Sequence, residues 1–171
     1  NHAGRDLANF YRQILQGRRL SRRLYGMYAR ELFLAGDEQD FLNAEDYFQT
    51  EVESPDRSAD EITEGCCVAV RAARLRGADT TFFKYVSKVL AGESCSEICC
   101  ELGYFYESCA DWKEAAIWYY NAAYETQPVL SLQSSVEEPL QGLIHCYERM
   151  NLPEQAEIYR SELEQRKQKC D

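Results

Sequence analysis

Between Cys95 and Pro128 the chain reads CSEICCELGYFYESCADWKEAAIWYYNAAYETQP, and this spacing leaves little freedom in how the stretch can fold. Ile98, Leu102, Phe105, Tyr106 and Cys109 recur at steps of three and four, so they share one face of a helix. Ala110 and Asp111 break the pattern, with Asp111 placed to cap a second helix. Trp112, Ala115, Ala116, Tyr119, Ala122 and Ala123 form one face of that helix, and Pro128 stops it. Gly103, Ala115 and Ala122 stand where two helix axes must approach closely, and aromatic residues fill the space beside them. The expectation is a helical hairpin with a close-packed seam.

The register of Leu102, Gly103, Tyr106, Ala115, Tyr119 and Ala122 resembles a tetratricopeptide repeat, a helix–turn–helix unit of about 34 residues. Two departures are Cys99, where a Trp is usual, and Pro128, which falls one residue late. The resemblance implies an all-α fold, a tetratricopeptide-like right-handed superhelix (solenoid) of helix–turn–helix repeats.

The rest of the chain fits this scheme. Leu7, Phe10, Tyr11, Ile14 and Leu15 predict a lead-in helix over 5–16 that ends near Gly17. Ser21 is a fair N-cap for a first repeat over 22–53, turning at Gly36–Asp37. About three extra residues around Asp40–Leu42 precede Ala44 and Phe48, and predict a lengthened turn or an early bulge. A second repeat, 59–92, turns at Gly77 and has Phe82 where the register wants alanine, with Ala69 and Ala73 as the small residues to face it. The third is 95–128. After a long insertion comes a fourth, 137–169, with Pro153 at a helix start and a frayed polar tail, QRKQKCD. All four are read as one repeat domain over 1–171.

Composition agrees with an all-α class: among 171 residues there are four prolines and nine glycines, without strand alternation or hairpin signals. No apolar run reaches the ~20 residues needed to span a bilayer, so no membrane partner is expected. The chain opens on Asn1, which suggests a piece excised from a longer parent. Eight cysteines include the adjacent pairs Cys66–Cys67 and Cys99–Cys100 within helical patterns, which favours free buried thiols and a reducing, cytoplasmic setting. Cys95 and Cys99 lie one helical turn apart, but Cys-x-x-Cys is absent and the histidines are His2 and His145, so no metal or other cofactor is expected.

The net charge of −10 hides an asymmetry. Seven arginines against Asp6 and Glu31 leave +5 in residues 1–36, so the remainder holds −15. An acidic body disfavours nucleic acid as a partner.

No phosphate loop, zinc-protease motif or Asp-x-Asp pair occurs, and adjacent His145 and Cys146 point about 100° apart on a helix, which argues against a shared nucleophilic site. No catalytic role is expected. In the repeat register the first helix of each pair lines a concave groove, where Arg30, Arg71, Arg74, Tyr104, Glu107, Gln141, His145 and Arg149 are the candidate partner-binding residues. Cys67 and Cys100 fall on the same face. Such donors suit a carboxylate-bearing peptide or an acidic loop. The plainer reading pairs these arginines with glutamates such as Glu64, Glu107 or Glu148.

LYGMYARELFLAGDEQDFLNAEDYF, SEICCELGYFYESCADWKEAAIWYYNAA and GLIHCYERMNLPEQAEIY succeed one another with gaps that resemble the repeat-bearing C-terminal region of bacterial (Firmicutes-type) family 2 glycosyltransferases. The resemblance implies a non-catalytic scaffold that docks the parent's own catalytic domain, an acceptor protein or another copy. The alternative is a free-standing adaptor or regulator that binds peptides in its groove.

Overall fold

Helix ends fall where capping chemistry places them. In this computed structural model residues 2–170 are described, with side chains for 4–169. Helix α1 (His2–Leu15) ends at Gly17, whose φ of +78° is a left-handed turn that glycine adopts without strain. Helix α2 (Arg22–Ala35) begins on Ser21, whose hydroxyl accepts the Leu24 N–H at 3.3 Å. Helix α3 (Glu38–Glu51) starts with a reciprocal capping box between Asp37 and Asp40, and α4 (Ala59–Leu75) with one between Ser58 and Glu61. Helix α5 (Asp79–Leu90) comes after the turn at Gly77.

The capping box corrects the expectation of a lengthened turn or bulge at Asp40–Leu42. Those residues are helical, and the added length is an early turn of α3. Asp37 and Asp40 satisfy the free N–H groups of the new start.

Helix α6 (Ser96–Ser108) and helix α7 (Trp112–Tyr120) form the hairpin read at Cys95–Pro128, with Asp111 accepting the Glu114 N–H at 3.1 Å. A single π turn, Asn121–Glu125, extends α7. Its carbonyls are held by side chains: Thr126 Oγ1 donates to Asn121, Ser96 Oγ to Ala122 and Arg166 Nη1 to Ala123. A 3₁₀ turn, Leu132–Ser135, lies within the long insertion, before helix α8 (Glu137–Arg149) and helix α9 (Pro153–Cys170).

The predicted frayed tail is therefore helical to Cys170; Asp171 is outside the described residues. Arg166 explains the order. It pairs with Glu162 at 2.8 Å and donates to the Ala123 and Ser135 carbonyls at 3.0 Å each.

The molecule is all-α, and its contacts divide into two compact units, Asn1–Glu93 and Ser94–Asp171, where the sequence reading has one domain. Within the first unit α4 packs on α3, α5 and α2, while α1 covers α2 and α3. Within the second α6 packs on α7, α7 on α8, α8 on α9, and α6 also meets α8. Packing of chain neighbours, with next-but-one contacts at α1–α3, α2–α4 and α6–α8, is repeat-like.

The first core is aromatic. Phe48 meets Tyr25 edge-on at 4.9 Å and Tyr28 at 5.3 Å, and Phe10 of α1 stacks on Tyr28 at 5.0 Å. Phe82 is fully buried, as are Ala69 and Ala73, so the large residue at the register's alanine position is accommodated. In the second unit Ala115, Tyr119, Leu140, Leu143 and Cys146 are fully buried together. Cys109, expected on the buried face, is exposed because α6 has already ended at Ser108, and Ala110 turns the chain with φ +56°.

Candidate functional site

The sequence-derived binding residues fall into two groups, one in each unit. In the first unit they lie on the face where α2 meets α4. Arg30 of α2 is exposed and reaches Glu64 at 4.0 Å, the pairing that the plainer reading foresees. Gly26 leaves room for it, since a Cβ there would stand 3.2 Å from Glu64 Oε2. Burial raises the Glu64 carboxyl above its usual range, with Arg30 pulling the other way. Arg71 of α4 is half-buried, its guanidinium 4.2 Å from the Phe33 ring centre and 5.1 Å from that of Phe41. It covers the seam between α2 and α3 with a planar cation. Arg74, one turn on, is half-buried as well.

In the second unit Tyr104 and Glu107 lie on α6 and Gln141, His145 and Arg149 on α8, and of these His145 and Arg149 meet Trp112, the first residue of α7. The α6–α8 contact brings two segments more than thirty residues apart onto one face. The Arg149 guanidinium sits 4.9 Å from the Trp112 ring centre, and the His145 ring meets the same indole edge-on at 5.6 Å. Both side chains are exposed. Neither has a carboxylate within ion-pair distance among the described residues, and Glu148, one of the glutamates that the plainer reading offers, is taken by Arg160. Gln141 is exposed and reaches Glu137 at 3.4 Å.

Beside these residues is a partly buried polar cluster. Tyr104 donates to Glu138 at 3.2 Å and meets Tyr119 edge-on. The Tyr119 hydroxyl is buried without a hydrogen-bond partner, and burial, with Glu107 nearby, raises its proton affinity. Glu107 accepts from the Cys146 thiol at 3.7 Å. Burial raises the Glu107 carboxyl, and the neighbouring His145 lowers it. Burial, helped by Glu107, pushes the Cys146 thiol up to about 12, so it stays protonated at neutral pH. His145 points to solvent while Cys146 is fully buried, as their positions on the helix require. Cys67 and Cys100 are core residues, so neither presents a group to a partner.

Sequence reasoning placed α8's cations but missed Trp112, which it assigned wholly to the hairpin seam. The signal was available: an N-terminal helical residue has one edge outside the first turn. It also missed an open cleft of about 470 Å³ between α1 and α3, lined by Tyr11, Leu15, Arg18, Asn43 and Tyr47 among others. Arg19 at its rim is already held by Glu51 and Asp56. Among the described residues no helix is long and apolar enough to cross a membrane.

No family model matches the chain, and no curated protein or solved structure matches it either.

Proposed function

We propose that the chain is a non-catalytic protein-interaction module whose working surface is the α6–α8 face, and that it receives an acidic segment of a partner protein. The observation that carries this is Arg149, exposed, lying over Trp112 and without a carboxylate within ion-pair distance. The Trp112 ring supports one side of the guanidinium, and its exposed N–H groups can donate to a carboxylate, with His145 as a second donor beside it. The neighbouring arginines Arg160 and Arg166 are instead each paired with glutamates.

In the finer reading the module is a tetratricopeptide-like solenoid serving as the cytoplasmic tail of a nucleotide-sugar-dependent glycosyltransferase. The resemblance of its three phrases to such tails supports this. The partner is then the parent's own catalytic domain or its acceptor. A free-standing adaptor with the same face is the alternative, and the length of the parent chain separates the two.

The test is fluorescence anisotropy with a labelled Asp/Glu-rich peptide. Binding that weakens with salt, and falls at least about tenfold in Arg149→Glu but not in Arg30→Glu, supports the reading. Equal binding by the wild type and Arg149→Glu, or no binding by either, overturns it.

A further inference from the structure

The outer face of α7 carries a second feature, independent of the Arg149 platform. Ile117, Tyr120 and Tyr124 recur at steps of three and four on the side away from the buried Ala115, Ala116 and Tyr119, and are 51%, 41% and 37% exposed. The stripe is rigid. Tyr120 and Tyr124 stack with ring centres 4.6 Å apart, and Arg166 lies over Tyr124 at 4.7 Å while binding the Ala123 carbonyl of the π turn. Tyr159 of α9 closes one side of the row, 6.3 Å from Tyr124. Two charges bound the stripe, Lys113 at its start and Glu125 at its end. Both are exposed, and neither has an ion-pair partner among the described residues.

We propose that this stripe is a self-association surface, occupied by the same stripe of a second copy in antiparallel orientation. The charge pattern selects that occupant. A two-fold axis near Tyr120 sets Ile117 of one copy beside Tyr124 of the other and brings each Lys113 within one helical turn of the opposite Glu125, a gap its four-carbon stem spans. Parallel pairing would place like charges together at both ends.

Sedimentation equilibrium of the full 171-residue chain tests this, with circular dichroism as the folding control. The wild type should dimerise at or below about 100 µM, and Tyr120→Lys should raise the dissociation constant at least about tenfold. Lys113→Glu and Glu125→Lys should each weaken the dimer, and the double variant Lys113→Glu/Glu125→Lys should restore it. Restoration is the decisive readout, because loss alone could come from general damage. A wild type monomeric throughout that range overturns the proposal, as does a dimer indifferent to Tyr120→Lys. So does a dimer that the paired charge swap fails to restore.

Discussion

Gly103 exists for Tyr119: a Cβ at Gly103 would stand 2.4 Å from the Tyr119 ring, closer than any side-chain contact allows. The opposite edge of the same ring is met by Gly142 of α8, where a Cβ would come within 2.6 Å. One fully buried tyrosine thus sets the approach of three helices, α6, α7 and α8, and two glycines are the space it needs.

Gly103→Ala and Gly142→Ala should therefore each destabilise the chain by about 1–3 kcal/mol through overpacking, despite alanine's better helix propensity. Ala115→Leu, on the same seam and fully buried, should act alike. Tyr119→Phe should leave stability unchanged or slightly raised, since the hydroxyl it removes is buried without a partner. Urea midpoints decide. An unaltered midpoint in Gly103→Ala would show that the ring is not wedged.

The hairpin was legible because its information is local. Gly103, Ala115 and Tyr119 lie within one helical hairpin, and their spacing alone brings them together. The second glycine was not legible as part of the same contact, since Gly142 reaches Tyr119 only after α8 has docked. The same limit explains the misread tail. QRKQKC is polar, and nothing local says that Arg166 will find two free carbonyls at Ala123 and Ser135. At Asp40 the error was one of kind, because extra residues before an alanine fit a bulge and a longer helix equally well until the capping box is seen. At the site, α8's cations were legible by periodicity, but the choice of Arg149 over Arg71 was not. It depends on which aromatic ring each guanidinium covers.

Arg57 holds the first unit at one point. It is buried, donates to Glu51 at 3.3 Å, Glu61 at 2.6 Å and the Leu20 carbonyl at 2.9 Å, and lies over the Tyr25 ring. Arg57→Met removes the buried cation shared by Glu51 and Glu61, leaves Glu51 only the half-exposed Arg19, and should cost about 3–5 kcal/mol. The triple change with Glu51→Gln and Glu61→Gln should recover a large part of that loss. If the triple variant is no more stable than Arg57→Met, burial of charge is not the cause.

Ala110 turns the chain between α6 and α7 at φ +56°, a region an L-residue enters at a cost of about 1–2 kcal/mol. The corresponding turn between α4 and α5 uses Gly77 at φ +72°. Ala110→Gly should raise stability by up to about 1 kcal/mol, since relief of strain outweighs the entropy added to the unfolded chain. A lowered melting temperature would place the strain elsewhere.

Glu97 fixes the start of the insertion. Its side chain is fully buried, and its carboxylate accepts the backbone N–H groups of Val129, Leu130 and Ser131 at 3.0, 2.8 and 2.9 Å. Glu97→Gln puts an NH₂ group where one acceptor was and should cost about 2–4 kcal/mol, as buried donors lose a charged partner. Amide exchange at 129–131 should accelerate more than exchange in α8. Uniform acceleration would mean that the variant opens globally and that the clamp has no local role.

Glu107 gives a pH signature whose sign is set by its surroundings. Burial raises its carboxyl above the ordinary 4.5, against the opposing pull of His145. The folded chain therefore holds this proton more tightly than the unfolded chain does, and its contribution to stability is complete below the ordinary value. As pH rises through the folded-state value the contribution is lost, because a half-buried carboxylate must then carry its charge away from water. Glu107→Gln keeps the shape and stays neutral. It should match the wild type near pH 4 and exceed it in urea midpoint at pH 8. The gain should grow across the interval just above the ordinary carboxylate range, where the two titrations part. A variant less stable than wild type at pH 8 would mean that the Cys146 and Tyr119 groups beside the carboxylate outweigh burial. The charged form of Glu107 would then be an asset to the fold, and the Arg149 platform would have a carboxylate at its back that repels an acidic partner.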